Sequence, residues 1–163
     1  EAFGRGLQKT NIVKDFATDL SRGISYLPDE WLTEAEYAPL SLDGAPAPWK
    51  KKVIDDVMGE LRDTTDYVLA LPYNAVAYRI ASLLCLLPAY QTILLAAERQ
   101  RELFTSDHHI KISRPTMAQC LQDAQAVVAD NEAIAQYGQT IERAVSAAFE
   151  SSIEKPLAVL APG

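Results

Sequence analysis

The sequence is short of cysteine, of clustered positive charge and of alternating apolar and polar residues, and each shortage excludes something. Two cysteines, Cys85 and Cys120, give neither a disulfide framework nor a metal-ligand spacing, so a reducing, cytoplasmic setting is expected. Acidic side chains outnumber basic ones by 22 to 15, for a net charge of −7. With no Lys/Arg-rich run to offset that balance, a nucleic-acid partner held through its phosphates is excluded. A few local cations still suffice for a small anion. No basic stretch followed by an apolar one opens the chain as a signal peptide would, and no glycine-rich dinucleotide fingerprint occurs. One uncharged run, Ile80 to Ala97, just reaches the length of a membrane span. Ser82, Pro88, Tyr90, Gln91 and Thr92 interrupt its apolarity, and Arg79 and Glu98 close it tightly. It therefore reads as a helix buried inside a bundle. Lys155 to Gly163 is short and broken by proline, and shows no anchor.

What is present is helical. Hydrophobic residues make up 48% of the chain, too many for disorder, and they recur at spacings of three and four. The pattern predicts an all-α fold. A first helix covers about 1–22 and stops near Gly23. Pro28-Asp29-Glu30 starts a short second one, and a loop follows over 39–48. A third helix carries Val53, Val57, Leu61 and Val68 on one face and ends at Leu71-Pro72, because a residue before proline leaves the helical region. A fourth, strongly apolar helix runs over about 73–104 with a kink at Pro88. His108 to Ile112 forms an extended connector. Ser113 or Arg114 with Pro115 opens a fifth helix, and Asn131-Glu132 separates it from a sixth that reaches about Glu150.

The first helix carries the main chemical signal. At 100° per residue Gly4, Gln8, Asn11, Asp15, Asp19 and Arg22 fall within about 80° of one another, opposite Val13, Phe16, Ala17 and Leu20. Such a stripe reads either as a solvated face or as a metal site. Asp15 and Asp19 point the same way one turn apart and offer the hard oxygen ligands that Mg²⁺ prefers, with amides one and two turns earlier for its waters or a phosphate oxygen. Short Asn, Asp and Gly are also unusual on a solvent face, where long Lys and Glu are the common choice.

The segment from Gly6 to Asp19, with its Leu7-Gln8-Lys9-Thr10-Asn11-Ile12 core, the basic Lys14 and two aspartates four apart, resembles the second aspartate-rich motif of the squalene and phytoene synthase family. Lys9 stands where carotenoid-type members usually carry Leu, which leans the resemblance toward the squalene synthase branch. Arg22-Gly23, Tyr26-Leu27-Pro28 and Trp31 are similar to the family's continuation. Cys85 and Pro88 match its next landmark, and Lys111-Ile112 resembles the start of its late basic patch.

The resemblance implies an all-helical isoprenoid synthase bundle that holds two farnesyl diphosphates between two aspartate-rich motifs and joins them head to head, through presqualene diphosphate, to squalene. It implies Mg²⁺ at Asp15 and Asp19, diphosphate support from Gln8, Asn11 and Arg22, and NADPH as the reductant, with Lys111 and Arg114 as its candidate contacts. The fourth helix becomes a cavity wall at Leu84, Cys85 and Pro88. Leu84 replaces the Phe that many members place before the cysteine, so cation stabilisation there would fall to another aromatic such as Tyr78. With one aspartate-rich motif present and no initiator Met, the chain is expected to be the C-terminal part of a longer synthase and inactive alone. A long apolar product leaves peripheral membrane contact open. The alternative functions are a phytoene or dehydrosqualene synthase, a synthase that releases presqualene diphosphate, or a non-catalytic helical relative.

The remaining signals read as surface. His108-His109, the pair Asp63 and Asp66, and Lys50-Lys51-Lys52 at the start of the third helix are all expected to face water.

Overall fold

A computed structural model describes residues 1–34, 36, 42 and 44–153. Positions 39–41 and 43 of the expected loop, and the C-terminal 155–163, lie outside the described residues. Among the described residues six α-helices follow in order: α1 (Ala2–Leu20), α2 (Asp29–Glu34), α3 (Ala47–Ala70), α4 (Val76–Glu98), α5 (Arg114–Val127) and α6 (Asn131–Ile153). No strand occurs among the described residues.

The helix ends follow local chemistry. After α1 the Ile24 N–H bonds the Asp19 carbonyl at 3.0 Å, and Gly23 takes φ 72°, a left-handed turn that glycine adopts without a Cβ clash. Pro48 lies in the first turn of α3, where a missing N–H costs nothing. Ser113 caps α5 by accepting a hydrogen bond from the Thr116 N–H at 3.1 Å. The fourth helix is shorter than expected at both ends. Beyond Glu98 the chain turns, and Phe104 adopts φ 65°. That turn drives its ring into the core edge-on against Phe16 and Trp49, at centroid distances of 5.2 and 5.6 Å. Burial of the aromatic decides the turn over further helical propagation.

Helix α4 is the centre of the bundle. It packs against α1, α3, α5 and α6, which explains why it is apolar nearly all round. Among the described residues it is the one helix long and apolar enough to cross a membrane, and 56% of its most apolar window is buried within the protein. Side-chain bonds establish the helix directions. Arg5 reaches Glu60 and Lys9 reaches Asp56, so α1 and α3 are antiparallel; Arg79 reaches Val68 and Tyr90 reaches Leu61, so α3 and α4 are antiparallel too. Helices α1 and α4 therefore run in the same direction.

Two basic residues sit where the sequence reading did not put them. Lys50, expected on a solvated helix start, is 4% exposed and donates from Nζ to the Gln100 carbonyl at 2.8 Å. Arg79 does more than close the apolar run, being 0% exposed. Its Nε donates to Val128 O at 2.7 Å and its Nη1 to Val68 O and Leu71 O at 3.1 and 2.8 Å, while Nη2 bonds the Asn131 side chain. Those carbonyls lie at the C-terminal ends of α3 and α5, where unpaired acceptors and the negative end of the helix dipole favour a cation. The Tyr73 ring covers the guanidinium at 5.1 Å.

Candidate active site

The rotation of α1 about its own axis decides what its polar stripe can reach. Val13, Phe16 and Ala17 are buried against the core. On the α3 side Arg5 Nε meets Glu60 at 2.9 Å, and Lys9 Nζ meets Asp56 at 2.7 Å and Glu60 at 2.9 Å. The hydrogen bond from Lys9 holds the Glu60 carboxyl below its ordinary pKa; partial burial opposes this, and Arg5 adds to it. Gly6 allows the two helices to approach closely, since a Cβ there would lie 2.6 Å from Thr64 Oγ1. These contacts pin one side of α1 to α3 and turn another side toward α4.

Between them lies a groove of about 750 Å³. Helix α1 contributes Leu7, Thr10, Asn11, Lys14, Asp15 and Thr18. Helix α4 faces them with Leu84, Cys85, Pro88, Ala89 and Thr92, a wall without a formal charge. The connector before α5 adds His109 to Ile112, and α5 adds Met117. Two cations, Lys14 and Lys111, thus share the groove with the Asp15 carboxylate, and Lys14 Nζ lies 3.3 Å from Asp15 Oδ2.

Of the residues singled out from sequence, Asn11, Asp15, Leu84, Cys85, Pro88 and Lys111 meet in this groove. Gln8, Asp19 and Arg22 continue the stripe beside it without lining it; Gln8 and Arg22 are exposed and Asp19 half-buried. Arg114 is exposed at the first turn of α5, outside the lining. Tyr78 lines an adjoining cavity. Both histidines are exposed, as are Asp63 and Asp66. His108 bonds Thr105 while His109 reaches the groove. The sequence reading assigned no role to Lys14, although its place next to Asp15 was the available signal.

The donor set suits a Mg²⁺ ion that also binds substrate phosphate. Among the described residues no group of three or more His, Cys, Asp or Glu side chains converges. Mg²⁺ commonly takes only one or two protein carboxylates, completing its shell with water and phosphate oxygens. Asp15 and Asp19, one turn apart on a partly exposed helix face, match that mode. For NADPH the fit is partial: Lys111 lines the groove and Arg114 does not.

A helical bundle in which a carboxylate- and amide-bearing face meets an uncharged wall is an arrangement of the kind an isoprenoid synthase requires. The chain belongs to the squalene/phytoene synthase family, whose family model matches residues 1–116. Its all-helical architecture agrees with that family's fold, and head-to-head prenyl condensation is the family's type of reaction. No curated protein and no solved structure matches the chain.

Proposed function

We propose that this chain is the C-terminal part of a squalene synthase-like prenyltransferase that condenses two farnesyl diphosphates through presqualene diphosphate and reduces the product with NADPH. The observation that carries the reading is the single groove in which Asn11, Asp15, Lys14 and Lys111 meet the uncharged α4 wall. Asp15 and Asp19 would hold Mg²⁺, which when bound neutralises charge on a departing diphosphate. The Gln8 and Asn11 amides orient phosphate oxygens from the same helix face, and Lys14 and Lys111 offset the remaining negative charge. Leu84, Pro88 and Ala89 exclude water from a cationic tail, so that an alkene rather than water is the partner it meets. Lys111 is the side chain here best placed to hold a phosphate of NADPH, which supplies hydride when bound.

In the full synthase, Asp15→Asn or Asp19→Asn is expected to abolish turnover while the helical circular dichroism signal survives. Wild-type turnover in either variant contradicts the assignment. Product analysis separates the family chemistries: squalene formed only when NADPH is present supports this reading, and phytoene or dehydrosqualene in its place assigns the chain to the carotenoid-type branch.

A further inference from the structure

Lys14 reaches its neighbour against the geometry of its own helix. Consecutive residues on α1 diverge by about 100° and do not normally face each other, yet Lys14 Nζ lies 3.3 Å from Asp15 Oδ2, the two side chains being 37% and 47% exposed. The flexible four-carbon stem makes this possible, bending back along the groove instead of extending into water. The lining supplies the reason. Asp15 is the single carboxylate there among the described residues, set against the ammonium groups of Lys14 and Lys111. On the α3 side of α1, Asp56 and Glu60 are engaged by Lys9 and Arg5. Asp15 is therefore the anion that the groove offers Lys14. Lys111 lines the same groove from the connector before α5 without pairing with Asp15.

We propose that Lys14 is a positioning residue acting through Asp15: it holds the carboxylate as a counter-ion until a diphosphate draws it away, and so makes divalent-metal binding at Asp15 depend on that diphosphate. The proposal rests on the reading of Asp15 as a Mg²⁺ ligand. A carboxylate oxygen that accepts from an ammonium group offers less negative charge to a metal. A dication bound there alone would also set two ammonium groups and a metal against one carboxylate in the lining, a balance that Coulomb repulsion disfavours. A diphosphate reverses it, because its oxygens carry more negative charge than Asp15 and form the stronger charge-assisted hydrogen bond with the ammonium. The stem that bends back to Asp15 can turn into the groove, so one side chain serves both partners in turn. The weakness of an exposed ion pair suits that exchange, since a strong, buried one would bar the metal altogether.

Equilibrium dialysis of Mn²⁺ against the folded chain, alone and with methylenediphosphonate, reads both halves of the exchange. Lys14→Gln is expected to bind Mn²⁺ alone about threefold more tightly and the Mn²⁺–methylenediphosphonate pair about threefold more weakly, opposite shifts within the range of an exposed ion pair. Lys14→Arg is expected to keep both wild-type values. Lys111→Gln controls for a general change of charge: it is expected to weaken binding of the diphosphonate pair and to leave the affinity for Mn²⁺ alone unchanged. If Lys14→Gln shows no gain for Mn²⁺ alone, or Lys111→Gln shows the same gain, Lys14 is not a counter-ion held on Asp15 and the proposal is overturned. The metal reading of Asp15 then still stands, provided that Asp15→Asn loses Mn²⁺ in the presence of methylenediphosphonate. If Asp15→Asn keeps full Mn²⁺ binding, the metal reading fails and this proposal fails with it.

Discussion

Single residues carry close contacts that no local pattern announces. At Gly6 an added methyl group would meet Thr64 Oγ1 at 2.6 Å and the Glu60 carbonyl at 3.1 Å, and Thr64 is itself tied to that carbonyl at 2.8 Å. Gly6→Ala gains about 1 kcal/mol of helix propensity but forces α1 off α3, at a cost of about 1–3 kcal/mol from overpacking. A net loss of stability is expected, seen as a lower urea midpoint; an unchanged or higher midpoint contradicts the close-approach account. Gly138 plays the same part on α6, where a Cβ would fall 2.9 Å from the Tyr90 hydroxyl that is held by Thr65 at 2.8 Å. Arg79 makes the larger prediction. Arg79→Ala leaves buried carbonyls at two helix ends without their donor and is expected to destabilise the chain by about 3 kcal/mol or more. A midpoint within error of the parent's overturns the view that Arg79 ties those ends together.

At the scale of elements, the pairing of α1 with α3 decides the orientation of the site, and it has a pH signature. Lys9 and Arg5 hold Glu60 in its charged form, so its folded-state pKa lies below the ordinary 4.5. A depressed carboxyl contributes stability that is fully present above its unfolded value and lost as pH falls through the folded one. Urea midpoints are therefore expected to drop below about pH 4.5, and Glu60→Gln to flatten part of that drop. An identical acid profile in the variant refutes the role given to Glu60. The elements themselves were legible in the sequence: Gly23, Pro72 after α3, Ser113 and the apolar period place the helices close to where they occur. The end of α4 was not, because burial of Phe104 against Phe16 and Trp49 stops the helix, and both partners are remote in sequence.

For the molecule as a whole, the apolar run that has the length of a membrane span becomes the helix that α1, α3, α5 and α6 pack around. The same bundle leaves the carboxylate stripe of α1 partly open to solvent, with Gln8, Asp19 and Arg22 outside the groove lining. Under the proposed function a second aspartate-rich face completes the site, so the 163-residue chain by itself is expected to form no prenyl product from farnesyl diphosphate. Squalene made by the purified chain alone refutes that expectation.

The sequence by itself determined the helical class, most helix ends, the family motif over α1 and the acidic net balance. These follow from periodicity, caps and local spacing, all of which are written within a few residues of one another. Only the tertiary structure decided that Asn11 and Asp15 line the groove while Asp19 stands beside it, and that Lys50 and Arg79 are buried. Those outcomes depend on how far α1 is turned about its axis, which is set by partners such as Glu60 and Asp56, 55 and 47 residues away from Arg5 and Lys9. Helical periodicity says which residues share a face. Which neighbour that face meets is settled by packing.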